Sequence, residues 1–200
     1  MNSDDIAERL ARLESIEAIR ALKARYAALA DAKYTPLCQQ LAGTELERVA
    51  RDQAQCFTED AVWAGGNSFG GDICGRDQLA KWFMRSPWRF AMHYYTSAHI
   101  EVHGDQGHAM WRLWQLAIRE ENGDAIVLAA STRERYRREA DDQWRCCFMQ
   151  FEQIHMSSLG LSPMPLVSSL AALDAQCPVR TVTDGTGTPL GNISTVEESI

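Results

Sequence analysis

The second half of this chain constrains its fold most. Four strand-like runs, 90–103, 108–119, 125–138 and 144–155, follow one another with only short turns between them. The turns are Gly104-Asp105-Gln106-Gly107, Asn122-Gly123 and Asp141-Asp142. Asn-Gly readily takes up the backbone angles of a tight hairpin, so these runs should pair as antiparallel neighbours. A meander with an apolar face needs a second layer to cover it, and the first half of the chain can supply one.

There the pattern is helical. Ile6, Leu10, Leu13, Ile16, Ile19, Leu22, Tyr26 and Leu29 recur in steps of three and four, which predicts one buried stripe on a helix ending at Asp31. Asn2 or Ser3 can cap it, with Asp4 and Asp5 favourable in its first turn. Thr35-Pro36 breaks the pattern, and a second helix restarts at Thr44 and reaches about Phe57. Ala61-Val62-Trp63 reads as a strand. A glycine-rich loop then leads to a third helix over about 76–85, stopped by Ser86-Pro87. The expected class is α+β, with three helices packed on one face of a bent antiparallel sheet. This domain should occupy residues 1–157. The remainder, 158–200, is rich in proline, glycine, serine and threonine and reads as a C-terminal extension with one short helix near 166–173.

Composition narrows the function classes. Two hundred residues at 46% apolar content suit one domain of this size. A net charge of −7 argues against nucleic acid or an anionic membrane as partner, since both call for a basic face. The longest apolar run, 125–130, falls far short of the roughly 20 residues of a membrane span. With no basic or apolar leader after Met1, a cytoplasmic location is expected. Six cysteines at 38, 56, 74, 146, 147 and 177 share no repeated spacing and read as reduced thiols. The loop carrying Gly65, Gly66, Gly70 and Gly71 lacks the lysine of a phosphate loop.

Phe57-Thr-Glu-Asp60-Ala-Val-Trp63, Gly75-Arg-Asp-Gln-Leu79 and the run from His93 through Ile100-Glu-Val-His-Gly104-Asp105, taken in this order after a helix ending in tyrosine and aspartate, carry a resemblance. Together they resemble the SnoaL-like branch of the nuclear transport factor 2-like superfamily over about residues 5–157. The resemblance implies a cone, in which a strongly curved sheet wraps round helices and encloses an apolar pocket. It implies chemistry without a cofactor, of the kind performed by scytalone dehydratase, bile-acid dehydratase and lindane dehydrochlorinase. In such members a histidine base pairs with an aspartate on the first helix, and the matching positions are His93 and Asp31, with Tyr26 as the pocket tyrosine. One departure stands out: about ten extra residues, near 34–43, separate Asp31 from Phe57.

The residues themselves allow this chemistry and also blander roles. Imidazole titrates near neutrality, and a carboxylate can fix its tautomer. Asp31 stands at a helix C-terminus, where the macrodipole disfavours negative charge. The ordinary alternative for it is a solvated helix end beside Lys33, and for His93 a satisfied core histidine. Tyr26 and Asp31 lie about 140° apart on a helix, so a shared pocket requires the helix to fray or bend. His93, Tyr95, Ser97 and His99 share a strand face if no bulge intervenes. Met110, Arg112, Trp114 and Leu116 share a face of the next strand, with Trp111 and Leu113 on the other. Arg112 either extends to solvent or faces a substrate oxygen. Trp63 and Trp144 read as core; Trp82, Trp88, Trp111 and Trp114 are candidates to line a pocket. The substrate-contacting set is Tyr95, Arg112, Trp114 and Trp88, with Trp63 beside them. His99 and His103 stand about 13 Å apart on one strand, too far to share a metal, and no metal site or cofactor is expected.

The function expected is a cofactor-independent lyase acting by β-elimination on a hydrophobic, aromatic or polycyclic small molecule, in aromatic compound catabolism. A carbon–carbon lyase releasing formaldehyde, or an isomerase, would use the same parts. The reading from another class is a binding or assembly module. An open sheet with an apolar outer face further suggests a homodimer or homotrimer.

Overall fold

A computed structural model describes residues 3–66 and 70–161. In chain order the elements are α1 (Ser3–Asp31), α2 (Gly43–Ala54), β1 (Phe57–Ala64), β2 (Ile73–Cys74), α3 (Arg76–Phe83), β3 (Trp88–His103), β4 (Gln106–Arg119), β5 (Asp124–Arg138) and β6 (Trp144–Leu161). The strands form one curved, unclosed sheet in the order β2-β1-β6-β5-β4-β3. The pairing is antiparallel except between β1 and β6, which run parallel. The class is α+β, as the alternation and turn residues require.

Several boundaries differ from the sequence reading. α2 stops at Ala54, and Phe57 opens a strand because its backbone pairs beside Cys146 of β6. Ile73 and Cys74 form a two-residue strand on β1 that no periodicity could announce. β6 runs on to Leu161, past the expected end at His155, and pairs with β5 to its far end at Asp124. Beyond Leu161 the expected extension and its helix at 166–173 lie outside the described residues.

The helical stripe is buried only in part. Ile6, Leu10 and Leu13 are exposed. From Ile16 onward α1 lies against the sheet, and its fully buried line is Ser15, Ile19, Lys23, Tyr26 and Ala30. Lys23 can sit there because Glu134 of β5 lies beneath it, with Nζ and Oε1 2.6 Å apart. Thr132 Oγ1 and the Tyr136 hydroxyl also donate to Glu134, and the Lys23 ammonium stands 3.7 Å from the centre of the Tyr95 ring. Around this charged centre the core is aromatic and aliphatic, with Phe57, Ile19, Leu79, Leu113 and Met149 at or near zero exposure. Each such side chain contributes about 1.5–3 kcal/mol by leaving water.

Gly107 and Gly65 mark two close approaches. A side chain at Gly107 would meet Ile19 of α1, and one at Gly65 would strike the carbonyls of Gly70 and Gly71 at 2.2 and 2.4 Å. The glycine loop is thus closed at its neck by backbone, with the Gly65 N–H donating to Asp72. The five cysteines among the described residues form no disulfide. No helix among them is long and apolar enough to cross a membrane.

β3 carries a bulge. Thr96 pairs with Arg112 and His99 with Met110, so two residues, Ser97 and Ala98, oppose one on β4. Ser97 takes a left-handed φ of 49° to accommodate the extra residue. Before the bulge the inward side chains are His93 and Tyr95; after it they are Ala98, Ile100 and Val102. His99 is thereby turned outward, and its side chain is 76% exposed.

Candidate active site

The end of α1 and the edge strand β3 meet at one carboxylate. Asp31 Oδ1 accepts the backbone N–H of His93 at 3.0 Å and stands 2.7 Å from His93 Nδ1. A carboxylate only accepts, so this contact selects the tautomer with the proton on Nδ1, in which Nε2 is the basic nitrogen of a ring that lines the cavity. The geometry answers the angular difficulty at Tyr26 with α1 helical through Asp31. Asp31 does not share the cavity wall; it stands behind the imidazole, while Tyr26, on the buried side of the helix, faces the interior.

The extra residues after Asp31 form a compact reversal. The Thr35 N–H donates to the Gln39 carbonyl and the Leu41 N–H to the Lys33 carbonyl, with Cys38 in the left-handed region at the turn. This loop leaves Asp31 in reach of His93 and adds two side chains to the cavity. Tyr34 packs on Phe90 and shares a 2.8 Å hydrogen bond with Ser86. Lys33 turns inward, with Nζ donating to the Phe83 carbonyl at 3.3 Å.

The cavity measures about 310 Å³. Its apolar walls are Trp63, Trp82, Phe83, Trp88, Leu128 and Phe151, with Trp63 and Trp82 packed at 4.6 Å between ring centres. Its polar groups are His93, Tyr26, Tyr95, Lys33, Tyr34, Gln53 and Gln115, and Arg85 stands exposed at the rim. Burial, reinforced by the Glu134 charge, holds the Tyr26 hydroxyl well above the usual phenol range; burial and the neighbouring Tyr26 do the same for Tyr95. Both are therefore neutral hydrogen-bonding groups at any working pH. Burial pushes Tyr34 up to about 12 and brings Lys33 down to about 8, the latter against the pull of Asp31. A larger groove of about 510 Å³ lies along the outer side of the sheet, but its His99–Glu101 pair is solvated, and no histidine there is backed by a buried carboxylate.

Of the residues singled out from the sequence, His93, Tyr26, Tyr95, Trp88 and Trp63 line this cavity, with Asp31 directly behind His93. Arg112 and Trp114 do not. Both stand on the outer face of β4, where Trp114 is 55% exposed. β4 alternates without interruption from Gly107, so Leu113 and Gln115 face in; the bulge in β3 is what brings Tyr95 and His93 onto that same side. Trp111 is in the core, donating to the Tyr136 hydroxyl. Lys33, Tyr34, Gln53 and Gln115 were not anticipated. Gln115 alternates with Leu113 and Ala117 on an otherwise apolar face, a signal present in the sequence; the other three depend on the loop and on how α2 packs.

The profile of the SnoaL-like domain matches residues 47–150. Among solved structures, the type 3 hexachlorocyclohexane dehydrochlorinase of Novosphingobium barchaimii LL02 aligns with a TM-score of 0.59 at 20% identity, over 78% of this chain and 95% of that one. A protein assigned as a scytalone dehydratase in Novosphingobium aromaticivorans DSM 12444 aligns at 0.58 and 14%, over 76% and 95%. A nuclear transport factor 2-like protein of Novosphingobium aromaticivorans aligns at 0.56 and 24%, over 75% and 88%. No curated protein matches the sequence. These likenesses establish a shared fold.

Proposed function

Since the chain belongs to the SnoaL-like domain family, whose fold neighbours include elimination enzymes, we propose that it is a lyase of the dehydratase type, with His93 as general base. The observation that carries this reading is the 2.7 Å contact between His93 Nδ1 and Asp31, at the wall of a largely aromatic cavity. His93 Nε2 removes a proton from a carbon next to a carbonyl or aryl group, and Asp31 stabilises the imidazolium that results. The C–H electron pair becomes the new double bond as the β-hydroxyl leaves with its own pair. That hydroxyl takes a proton from the imidazolium and departs as water. Tyr26 and Tyr95, fixed as neutral hydroxyls, are placed to donate hydrogen bonds to the departing group or the developing oxyanion. Flat walls from three tryptophans and two phenylalanines favour an aromatic or polycyclic substrate.

The test is turnover on candidate aromatic β-hydroxy compounds. His93→Ala should lose about 10²–10⁴ in rate. Asp31→Asn should also be damaging, since an amide offers its NH₂ to the ring and favours the wrong tautomer. Near-normal turnover by His93→Ala would remove the histidine from the mechanism.

A further inference from the structure

The cavity holds more polarity than proton abstraction by His93 requires. Trp63 Nε1, Gln115 Nε2 and Gln53 Oε1 are buried atoms without a hydrogen-bond partner, and all three residues line this one space. Buried polar atoms are almost always paired in a folded interior, so a cluster of orphans around a cavity marks where a ligand's polar atoms belong. Lys33 is only 7% exposed. Its Nζ makes one hydrogen bond, to the Phe83 carbonyl, and an ammonium has three N–H groups to give. The nearby carboxylate, Asp31, is already engaged twice by His93. Lys33 Nζ, Trp63 Nε1 and Gln115 Nε2 thus hold unused N–H donors at this cavity.

Building on the lyase reading, we propose that the substrate presents a carbonyl oxygen to Lys33, and that the Lys33 ammonium holds the negative charge this oxygen gains when His93 takes the proton from the adjacent carbon. The substrate class is then an oxygenated aromatic or aryl ketone rather than a halocarbon, with further oxygens to pair Gln115 and Trp63. The electrons balance through an enolate. The C–H pair moves into a carbon–carbon double bond, the carbonyl π pair moves onto oxygen beside Lys33, and its return expels the β-hydroxyl. In so apolar a setting the ammonium is poorly solvated, and its attraction to an oxyanion is correspondingly strong. A pKa near 8 leaves it a cation at neutral pH.

The experiment uses the full chain and two probes of similar shape: 4-nitrophenol, whose phenolate absorbs visible light, and uncharged 4-nitrotoluene. Affinities are read from quenching of tryptophan fluorescence and the ionisation of bound 4-nitrophenol from its visible band. The unaltered protein should bind the phenolate more tightly than 4-nitrotoluene and lower the bound ligand's pKa. Lys33→Met should lose about tenfold or more in phenolate affinity and raise that pKa, while keeping its affinity for 4-nitrotoluene, which also certifies its fold. Arg85→Gln, altering the cation at the rim, should leave phenolate binding unchanged. Equal phenolate affinity in Lys33→Met, a loss confined to Arg85→Gln, or no preference for the phenolate in the unaltered protein would each overturn the proposal. Neither probe is turned over, so the result stands apart from whether His93 is the base; an active His93→Ala variant would sink the lyase reading and leave this one testable.

Discussion

Removing the positive half of the buried pair beneath the cavity should unfold this protein more readily than any surface change. Lys23 and Glu134 are 2.6 Å apart, with side chains 3% and 0% exposed. Lys23→Met keeps most of the length and packing of the stem but strands a carboxylate that water cannot reach. Breaking a buried pair from one side costs about 3–5 kcal/mol. Thr132 and Tyr136 still donate to Glu134, which places the expectation toward the lower end of that range. For a chain of this size each kcal/mol shifts the melting temperature by about 2–4 °C, so a fall of roughly 6–20 °C is expected. Urea unfolding followed by circular dichroism gives the free energy directly. Lys23→Met/Glu134→Gln should recover much of the loss, since the double variant buries no charge. A single variant within about 1 kcal/mol of the parent, or a double variant no better than the single, would refute the claim that this pair anchors α1 to the sheet.

Three further outcomes follow from the same structure. Lys33, lowered in the fold from its ordinary 10.5 to about 8, costs stability wherever it must be charged; the unfolded chain binds more protons between those values, so the parent should gain on Lys33→Met as pH rises from about 8 to 10.5, measured as the difference between their unfolding free energies. Gly65→Ala places a methyl group against two backbone carbonyls and should cost on the order of 1–3 kcal/mol in the same urea assay, whereas Gly71→Ala, with open space around it, should not. Met92, Tyr94, Met110, Trp114 and Leu116 leave an apolar outer face on β3 and β4, which favours a homodimer or homotrimer; Trp114→Glu should shift light scattering toward the monomer, and truncation after Leu161 tests whether the extension contributes.

The order of elements and the pairing of the four long strands were legible because each rests on a local signal: helical spacing before Asp31, and a turn dipeptide between strands. The His93–Asp31 contact was legible only through family resemblance, since sixty-two positions separate the two in sequence. What failed was a count of one. Pairing outward from the Gly104–Gly107 turn, where His103 meets Gln106, would set His93 opposite Leu116 and Tyr95 opposite Trp114. The extra residue at the bulge moves those partners to Gln115 and Leu113. A one-residue slip exchanges the two faces of a strand, so Tyr95 and His93 share their side with Leu113 and Gln115, and Arg112 and Trp114 lie on the other. Lys33 was out of reach for a different reason. An inward lysine in a loop has no periodicity, and its direction is fixed by contacts with Phe83, fifty positions away.

β3 is the last strand of its sheet, and its outer rim would offer unpaired amides to any passing strand. Asp31 closes one of them, taking the His93 N–H on the same oxygen that holds the ring. The carboxylate thus guards against edge-to-edge aggregation whatever becomes of the chemistry. A chain without lyase chemistry could discard the imidazole and still gain solubility from the aspartate. An acidic residue at this position is therefore weak testimony for catalysis, and a histidine opposite it is the stronger.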